Sequence, residues 1–463
     1  MKKQFTSMLT VLMVLIMVLL AACSPAAQPT AAPADDTAAE PAAEEPTAVP
    51  EQEEVATEAP VAESAEPVEL VYWHALTGPA ADAQDELVKR FNESQDLIHV
   101  TSELQGATYS DLSTKILADV AAGGGADVSQ LGTYEILQFS KSGVLVDLNP
   151  YVSGDNGLDT SSWPSTMIDA GVVDGNLNWL PFNVSVPVLY YNKEAFEEAG
   201  LAGPPQTWDE YFDYAEQLTV KDANGNVTRA GAALWNITWP FLSAVWSNGG
   251  EFTTMDYSNI TFDDPVVVDV MTKFQDLIKD GAAVIPDSAS GGHRGAFMNG
   301  QAAMILDSPA PYGDIMANSV GFTPAVALYP EGTAGRVYAP GGGGIVMLTS
   351  CPEEKRAAAW EFMKYMLSPE SIAYYGEQSG YAVFYPEAAE AAADFLSDEN
   401  FAIMNSASEY LRGDFSMNGS PAVRTAFDEA LLKILIDKAD VQSTLESADA
   451  KAEKDIQNET FAP

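Results

Sequence analysis

The chain has 463 residues, 67 acidic against 22 basic side chains, a formal net charge of -45 at neutral pH, and two cysteines. A surface this acidic excludes a nucleic-acid-binding role, which needs a basic footprint. The length exceeds the ~250–300 residues at which a single core usually splits, so two domains are expected once the terminal segments are set aside. Met1 to Cys23 opens with Lys2 and Lys3, runs apolar from Met8 to Leu20 and closes on Leu20-Ala21-Ala22-Cys23. A short basic head, an apolar stretch and small residues make an export signal. The alternative, a single membrane-spanning helix, is disfavoured because the run falls short of the about 20 residues a bilayer requires. Ser24 to Glu69 is dominated by Ala, Pro, Glu, Thr and Val, with twelve acidic residues and no Lys or Arg. Such a segment buries no core, so a disordered tether is expected over 24–69. Without the tether's twelve acids and the leader's two lysines, the remainder carries -35. That global charge does not set the charge of a ligand, because a pocket answers to its own few groups.

Val68-Glu69-Leu70-Val71-Tyr72-Trp73-His74 alternates as a strand and meets a Gly78-Pro79 break. A helix follows from about Ala80 to Asn92, with Leu87, Val88 and Phe91 on one face, then a strand from Ile98 to Leu104. The next helix, from about Ser110 to Ala122, repeats Leu112, Ile116, Leu117 and Val120 at helical spacing. Ala126 to Leu131 is a third strand. This order implies a parallel sheet with helices on its faces. Gly132-Thr133-Tyr134-Glu135 falls at the carboxyl end of the third strand, where open α/β sheets place ligands. Pro181 to Gly200, PFNVSVPVLYYNKEAFEEAG, reads as an alternating strand, a buried Leu189-Tyr190-Tyr191 run, and a helix capped by Asn192. Thr207 and Glu210 predict a capping box at the next helix. Phe297 to Ser308 gives a helix end, a turn and a strand. Gly341 to Gly344 reads as a flexible turn before a strand from Ile345 to Thr349, and Glu353 to Leu367 as an amphipathic helix ending before Pro369.

Catalytic patterns are poor. The three histidines, His74, His99 and His293, have no metal-ligand spacing, and HExxH, GxSxG, GKS or GKT loops and CxxC do not occur. No metal, cofactor or catalytic residue is therefore expected. Two of the 67 carboxylates could still serve glycoside hydrolysis, so a surface glycoside hydrolase stays open as a lesser alternative.

The motifs WHALTGP, PFNVSVPVLYYNKEAFEEAG, TWDEYFDYAEQL, FMNGQAAMILDS, the glycine run, SGYAVFYPEA and SPAVRTAFDEAL occur in that order from about Leu70 to Lys433. Together they resemble the extracellular solute-binding proteins of carbohydrate-type ABC importers, most closely the glycerol-3-phosphate-binding branch. The resemblance implies an α/β, two-lobed periplasmic-binding-protein fold of type II, with a hinge of several crossings and the ligand in the cleft. Lobe one is expected at 70–182 plus 325–378, and lobe two at 183–324 plus 379–463. The end of the leader is similar to a bacterial lipobox, which implies lipid on Cys23 and anchorage to the outer face of the cell membrane. Cys351 is then left without a disulfide partner. The partners implied are a polyol phosphate or sugar and the permease subunits of the importer, with the receptor itself a monomer. A neutral oligosaccharide is the alternative ligand.

Carried over by motif, the resemblance assigns ligand contacts to Tyr109, Glu135, Ser185, Ser308, Gly342, Tyr381 and Arg424. A phenol donates one hydrogen bond, a carboxylate accepts from hydroxyls, and a guanidinium suits bidentate phosphate recognition. Each also has a plainer reading. The tyrosines would pack, Glu135 would be a surface carboxylate, the serines would fill strands, and Arg424 would bridge Asp428 at i, i+4. Trp235 and Trp239, read as four apart on a helix, complete the candidates as rings that stack on sugars or, alternatively, as core. The stretch from Asp287 to Gly295 departs from the family pattern.

Overall fold

The computed structural model describes residues 66–254, 258–287, 292–413 and 420–457. The export signal, Cys23 and nearly all of the proposed tether lie outside the described residues. Among the described residues no helix is long and apolar enough to cross a membrane.

Two sheets organise the fold. The first runs in the order Ile98–Leu104, Val68–His74, Val128–Gly132, Gly341–Met347, Leu180–Ser185. Its first three strands are parallel, as the strand-helix-strand order predicts, while Gly341–Met347 is antiparallel to both neighbours. Val128–Gly132 is buried along its whole length, as a central strand covered on both faces should be. Pro79–Ser94 turns Leu87, Val88 and Phe91 inward and packs on Pro369–Ser379.

The second sheet runs Ala283–Val284, Val227–Ala233, Ala302–Asp307, Val188–Asn192, Pro324–Leu328, with a short Val220–Lys221 strand on Val227–Ala233. Its helices include Thr238–Ser247, buried throughout, and Pro265–Asp280. Pro421–Leu435 pairs with Val441–Ile456 and packs on these two. The caps read from sequence are present. Asn192 accepts from the Ala195 N–H at 2.8 Å, and Thr207 and Glu210 form a reciprocal box.

Strand pairing places the passages between sheets. Leu180–Ser185 stays in the first sheet and Val188–Asn192 belongs to the second, so the chain crosses at Val186–Pro187, beyond the expected 182/183. Pro324–Leu328 also pairs in the second sheet, which moves the return crossing from 325 to between Leu328 and Gly341. A third passage lies between Pro369–Ser379, packed on the first sheet, and Glu399–Ser406, packed on Pro324–Leu328.

The glycine run is a correction to the sequence reading: Gly341 to Gly344 are themselves strand, paired to Leu180–Ser185 on one side and Val128–Gly132 on the other. The absent side chains let large groups lie on this strand. A Cβ on Gly341 would fall 3.2 Å from the Trp239 ring and one on Gly343 3.0 Å from the Tyr109 ring. Gly342 has φ +84, and a Cβ there would be 1.9 Å from the Asn183 carbonyl oxygen. Its place is fixed by the backbone before any ligand is considered.

Candidate functional site

Beside the glycine strand, the turn after the third strand meets the start of Pro421–Leu435, where Arg424 lies over Tyr134. Thr108 caps the helix Tyr109–Ala121, which sets the Tyr109 ring against Gly132 and Gly343. Its phenol accepts from Asn183 Nδ2 at 2.5 Å and is hydrogen-bonded to Tyr381. Asn183 in turn accepts from Gln130 Nε2 at 3.0 Å, and Gln130 Oε1 accepts from the Ala75 N–H at 3.0 Å. A buried polar chain thus fixes both phenols. Burial pushes both above the ordinary tyrosine range, so they are neutral hydrogen-bonding groups at physiological pH.

Glu135 follows the turn after Val128–Gly132 and is 7% exposed, with Oε2 buried and lacking a hydrogen-bond partner. Burial raises its carboxyl to about 6, against the opposing pull of Arg424. Arg424 comes from the first turn of Pro421–Leu435 and lies over the Tyr134 ring, 5.7 Å from its centroid. The bridge to Asp428 does not form. Asp428 takes the Thr238 hydroxyl at the start of Thr238–Ser247 instead. Among the described residues no carboxylate lies within ion-pair distance of Arg424. Among the described residues, a cation and a carboxylate with hydrogen-bonding capacity unspent thus lie near one another.

The other candidates divide. Ser185 ends its strand 6% exposed, and its hydroxyl has no hydrogen-bond partner among the described residues. Ser308 is spent on the fold: its N–H and hydroxyl both reach Asp307 Oδ1, and its carbonyl accepts from Tyr190. Trp235 and Trp239 do not share a helix, because the helix starts at Thr238 and Trp235 precedes it. Trp239 is 6% exposed and donates to the Pro340 carbonyl at 3.1 Å, holding the glycine strand, whereas Trp235 is half-buried.

One cluster was not anticipated. Asp307 is fully buried at the end of Ala302–Asp307 and accepts from Arg294 Nε at 2.6 Å, Arg294 Nη2 at 2.8 Å and His293 Nε2 at 2.7 Å. Burial alone would raise this carboxyl, but the hydrogen bonds and charge of the two partners hold it well below the usual range. His293 stacks on Trp235 with centroids 5.0 Å apart, and the Arg294 guanidinium lies 5.5 Å from the same ring. Its sequence signal was an acid closing the otherwise apolar run Ala302-Ala303-Met304-Ile305-Leu306, which a buried strand tolerates only when the charge is paired. No group of His, Cys, Asp and Glu among the described residues is arranged to hold a metal ion.

The family model described as bacterial extracellular solute-binding protein matches residues 86–403. The sn-glycerol-3-phosphate-binding periplasmic protein UgpB of Rhizobium meliloti is 28% identical over 335 residues, 68% of this chain and 74% of that protein. Its counterpart in Brucella abortus is 26% identical over 322 residues, with the same shares covered. Among solved structures, UgpB from Mycobacterium tuberculosis in complex with glycerophosphocholine superposes with TM-score 0.75 at 22% identity, covering 85% of this chain and 98% of that one. A substrate-binding protein from Listeria monocytogenes in complex with cycloalternan gives TM-score 0.72 at 22% identity, covering 84% and 99%. At these identities the likeness is one of fold, two lobes with a cleft between them.

Proposed function

Since this chain belongs to the bacterial extracellular solute-binding proteins, the solute receptors of sugar and glycerophosphate ABC importers, we propose that its ligand is glycerol-3-phosphate or a related polyol phosphate. The observation that carries this is the facing pair of Arg424, with no carboxylate at ion-pair distance among the described residues, and Glu135, whose buried Oε2 lacks a partner. The guanidinium suits a phosphate and the carboxylate accepts from glycerol hydroxyls. Tyr109, Tyr381 and Ser185 add neutral hydrogen-bonding groups on the side that carries Glu135. The relatives that bind glycerol phosphate by name support the same class.

In this reading lipid on Cys23 anchors the receptor to the outer face of the membrane, the 24–69 segment tethers it, and the monomer delivers its solute to the permease. Lobe one spans the first sheet with its helices, and lobe two the second sheet with the C-terminal helices. Closure of the lobes about the three passages traps the solute, which is released unchanged. A thermal-shift screen with glycerol-3-phosphate, a glycerophosphodiester and neutral oligosaccharides tests it, because a ligand of the native state at 100 times its Kd adds about 2.7 kcal/mol of stability. Stabilisation by neutral oligosaccharides alone would replace the phosphate reading with the oligosaccharide one. Release of product from any glycan would overturn the receptor assignment.

Glu135 gives a further test. Its folded-state value is raised from 4.5 to about 6, so the ionised carboxylate destabilises the empty protein above that range, by about 2 kcal/mol at pH 7. Stability of the empty wild type should rise as pH falls from 7 toward 4.5. Glu135→Gln should melt higher than wild type at pH 7, lose that component of the pH dependence, and bind glycerol-3-phosphate more weakly. A variant that melts lower at pH 7 and binds normally would remove Glu135 from the site.

A further inference from the structure

Resting on the polyol-phosphate reading, we propose that Thr238 is a positioning residue for the solute's anionic group: it captures Asp428, the carboxylate that would otherwise neutralise Arg424. Arg424 and Asp428 stand four residues apart on Pro421–Leu435, the spacing at which a guanidinium and a carboxylate on one helix face pair. They do not pair here. Asp428 Oδ1 accepts the Thr238 hydroxyl, and the Thr238 N–H bonds the same carboxylate. Arg424 is left over the Tyr134 ring, and its N–H groups have no partner among the described residues.

The start of Thr238–Ser247 explains how the capture is held. The helix is buried throughout, so water does not serve its opening N–H groups, and Ile237 at its cap position has no side-chain oxygen to offer them. Asp428 supplies that acceptor from a second helix, and the partial positive charge of the helix start favours a carboxylate there. Capping alone does not call for this arrangement. Ser, Thr, Asn or Asp at position 237 would cap the helix locally and leave Asp428 to its neighbour. Drawing the cap from the helix that bears Arg424 couples the two ends of the problem.

The gain is in the charge that the solute meets. Burial pushes the Asp428 carboxyl up, while the Thr238 hydroxyl, the Arg424 charge and the Thr238 N–H pull it down. Without Thr238 the remaining partner within reach along the helix is Arg424, and an anion would then have to displace an ion pair already made. A guanidinium held by Asp428 for about nine-tenths of the time raises the apparent Kd for an anion about tenfold. Thr238 thus acts on the solute through Asp428 and Arg424.

Calorimetric titration of the intact receptor with glycerol-3-phosphate tests this, with a melting curve of each variant to check that it folds. Thr238→Val keeps the shape, deletes the hydroxyl and should weaken binding about tenfold. Thr238→Ser keeps the hydroxyl and should recover most of that loss. The double variant Thr238→Val, Asp428→Asn has no carboxylate to turn on Arg424, so it should bind within about threefold of Asp428→Asn alone. Unchanged affinity in Thr238→Val, a loss that Thr238→Ser does not recover, or a loss that persists in full in the double variant overturns the proposal. The empty receptor tests the capture whatever the solute. The melting-temperature shifts of Arg424→Met and Asp428→Asn should depart from additivity more in the Thr238→Val background than in wild type, as expected for a newly formed ion pair, and equal departures overturn the capture. Wild-type indifference to glycerol-3-phosphate overturns the phosphate reading, and the empty-receptor comparison then decides the capture by itself.

Discussion

Arg424→Ala should weaken binding of glycerol-3-phosphate by about 30- to 1000-fold, the 2–4 kcal/mol typical of losing a charged hydrogen-bonding anchor from a desolvated site. The fold should survive, because Arg424 is only half-buried and no carboxylate sits at ion-pair distance from it among the described residues. Its removal does strip Glu135 of a cation that opposes its burial, so the carboxyl should move further upward. Arg424→Lys restores the charge without the planar fork and should recover only part of the loss. Calorimetry with a neutral oligosaccharide as control separates the cases. Equal weakening of both ligands would show that Arg424 supports the cleft rather than a phosphate, and unchanged affinity would remove it from the site.

Asp307→Ala should be the most damaging single substitution considered, costing about 3–5 kcal/mol of stability, because it leaves the partly buried Arg294 and buried His293 without the carboxylate that both serve. The pH dependence has a definite sign. Asp307 is held below its ordinary value in the folded state, so its stabilisation is fully present above the unfolded-state value near 3.8 and is lost as pH falls through the folded one. The wild type should therefore lose stability in acid more steeply than Asp307→Ala does. Urea denaturation at pH 7 and at pH 3 measures both effects. A variant within 1 kcal/mol of wild type at pH 7 would show that the ion pair contributes no net stability.

Features specified by a few neighbouring residues were legible in the sequence. Asn192 before Lys193-Glu194-Ala195, and Thr207 three residues before Glu210, announce caps because the donors and acceptors are adjacent in the chain. The parallel order of the first three strands followed from their alternation with helices. What could not be read was set by partners far away. Gly341 to Gly344 look like a turn until Tyr109, Trp179 and Trp239 are laid on them. The Arg294–Asp307 pair joins a residue in the stretch that departs from the family pattern to one that lies in a matching motif, so resemblance gave no guide to their pairing. Two errors had local remedies. Pro240 marks a first helical turn and so places Trp235 outside the helix. Pro187 marks the break between strands better than Phe182 does.

The glycine strand has a consequence for how such a receptor can change its solute. The strand itself, built from main chain, offers nothing to exchange: an alanine at Gly341 or Gly343 would press on Trp239 or Tyr109, and one at Gly342 would collide with the Asn183 backbone. Any change of ligand preference is therefore left to the side chains that surround the strand rather than to the strand itself. The strand acts as an invariant gauge, and the side chains around it are where evolution or engineering can write a new preference.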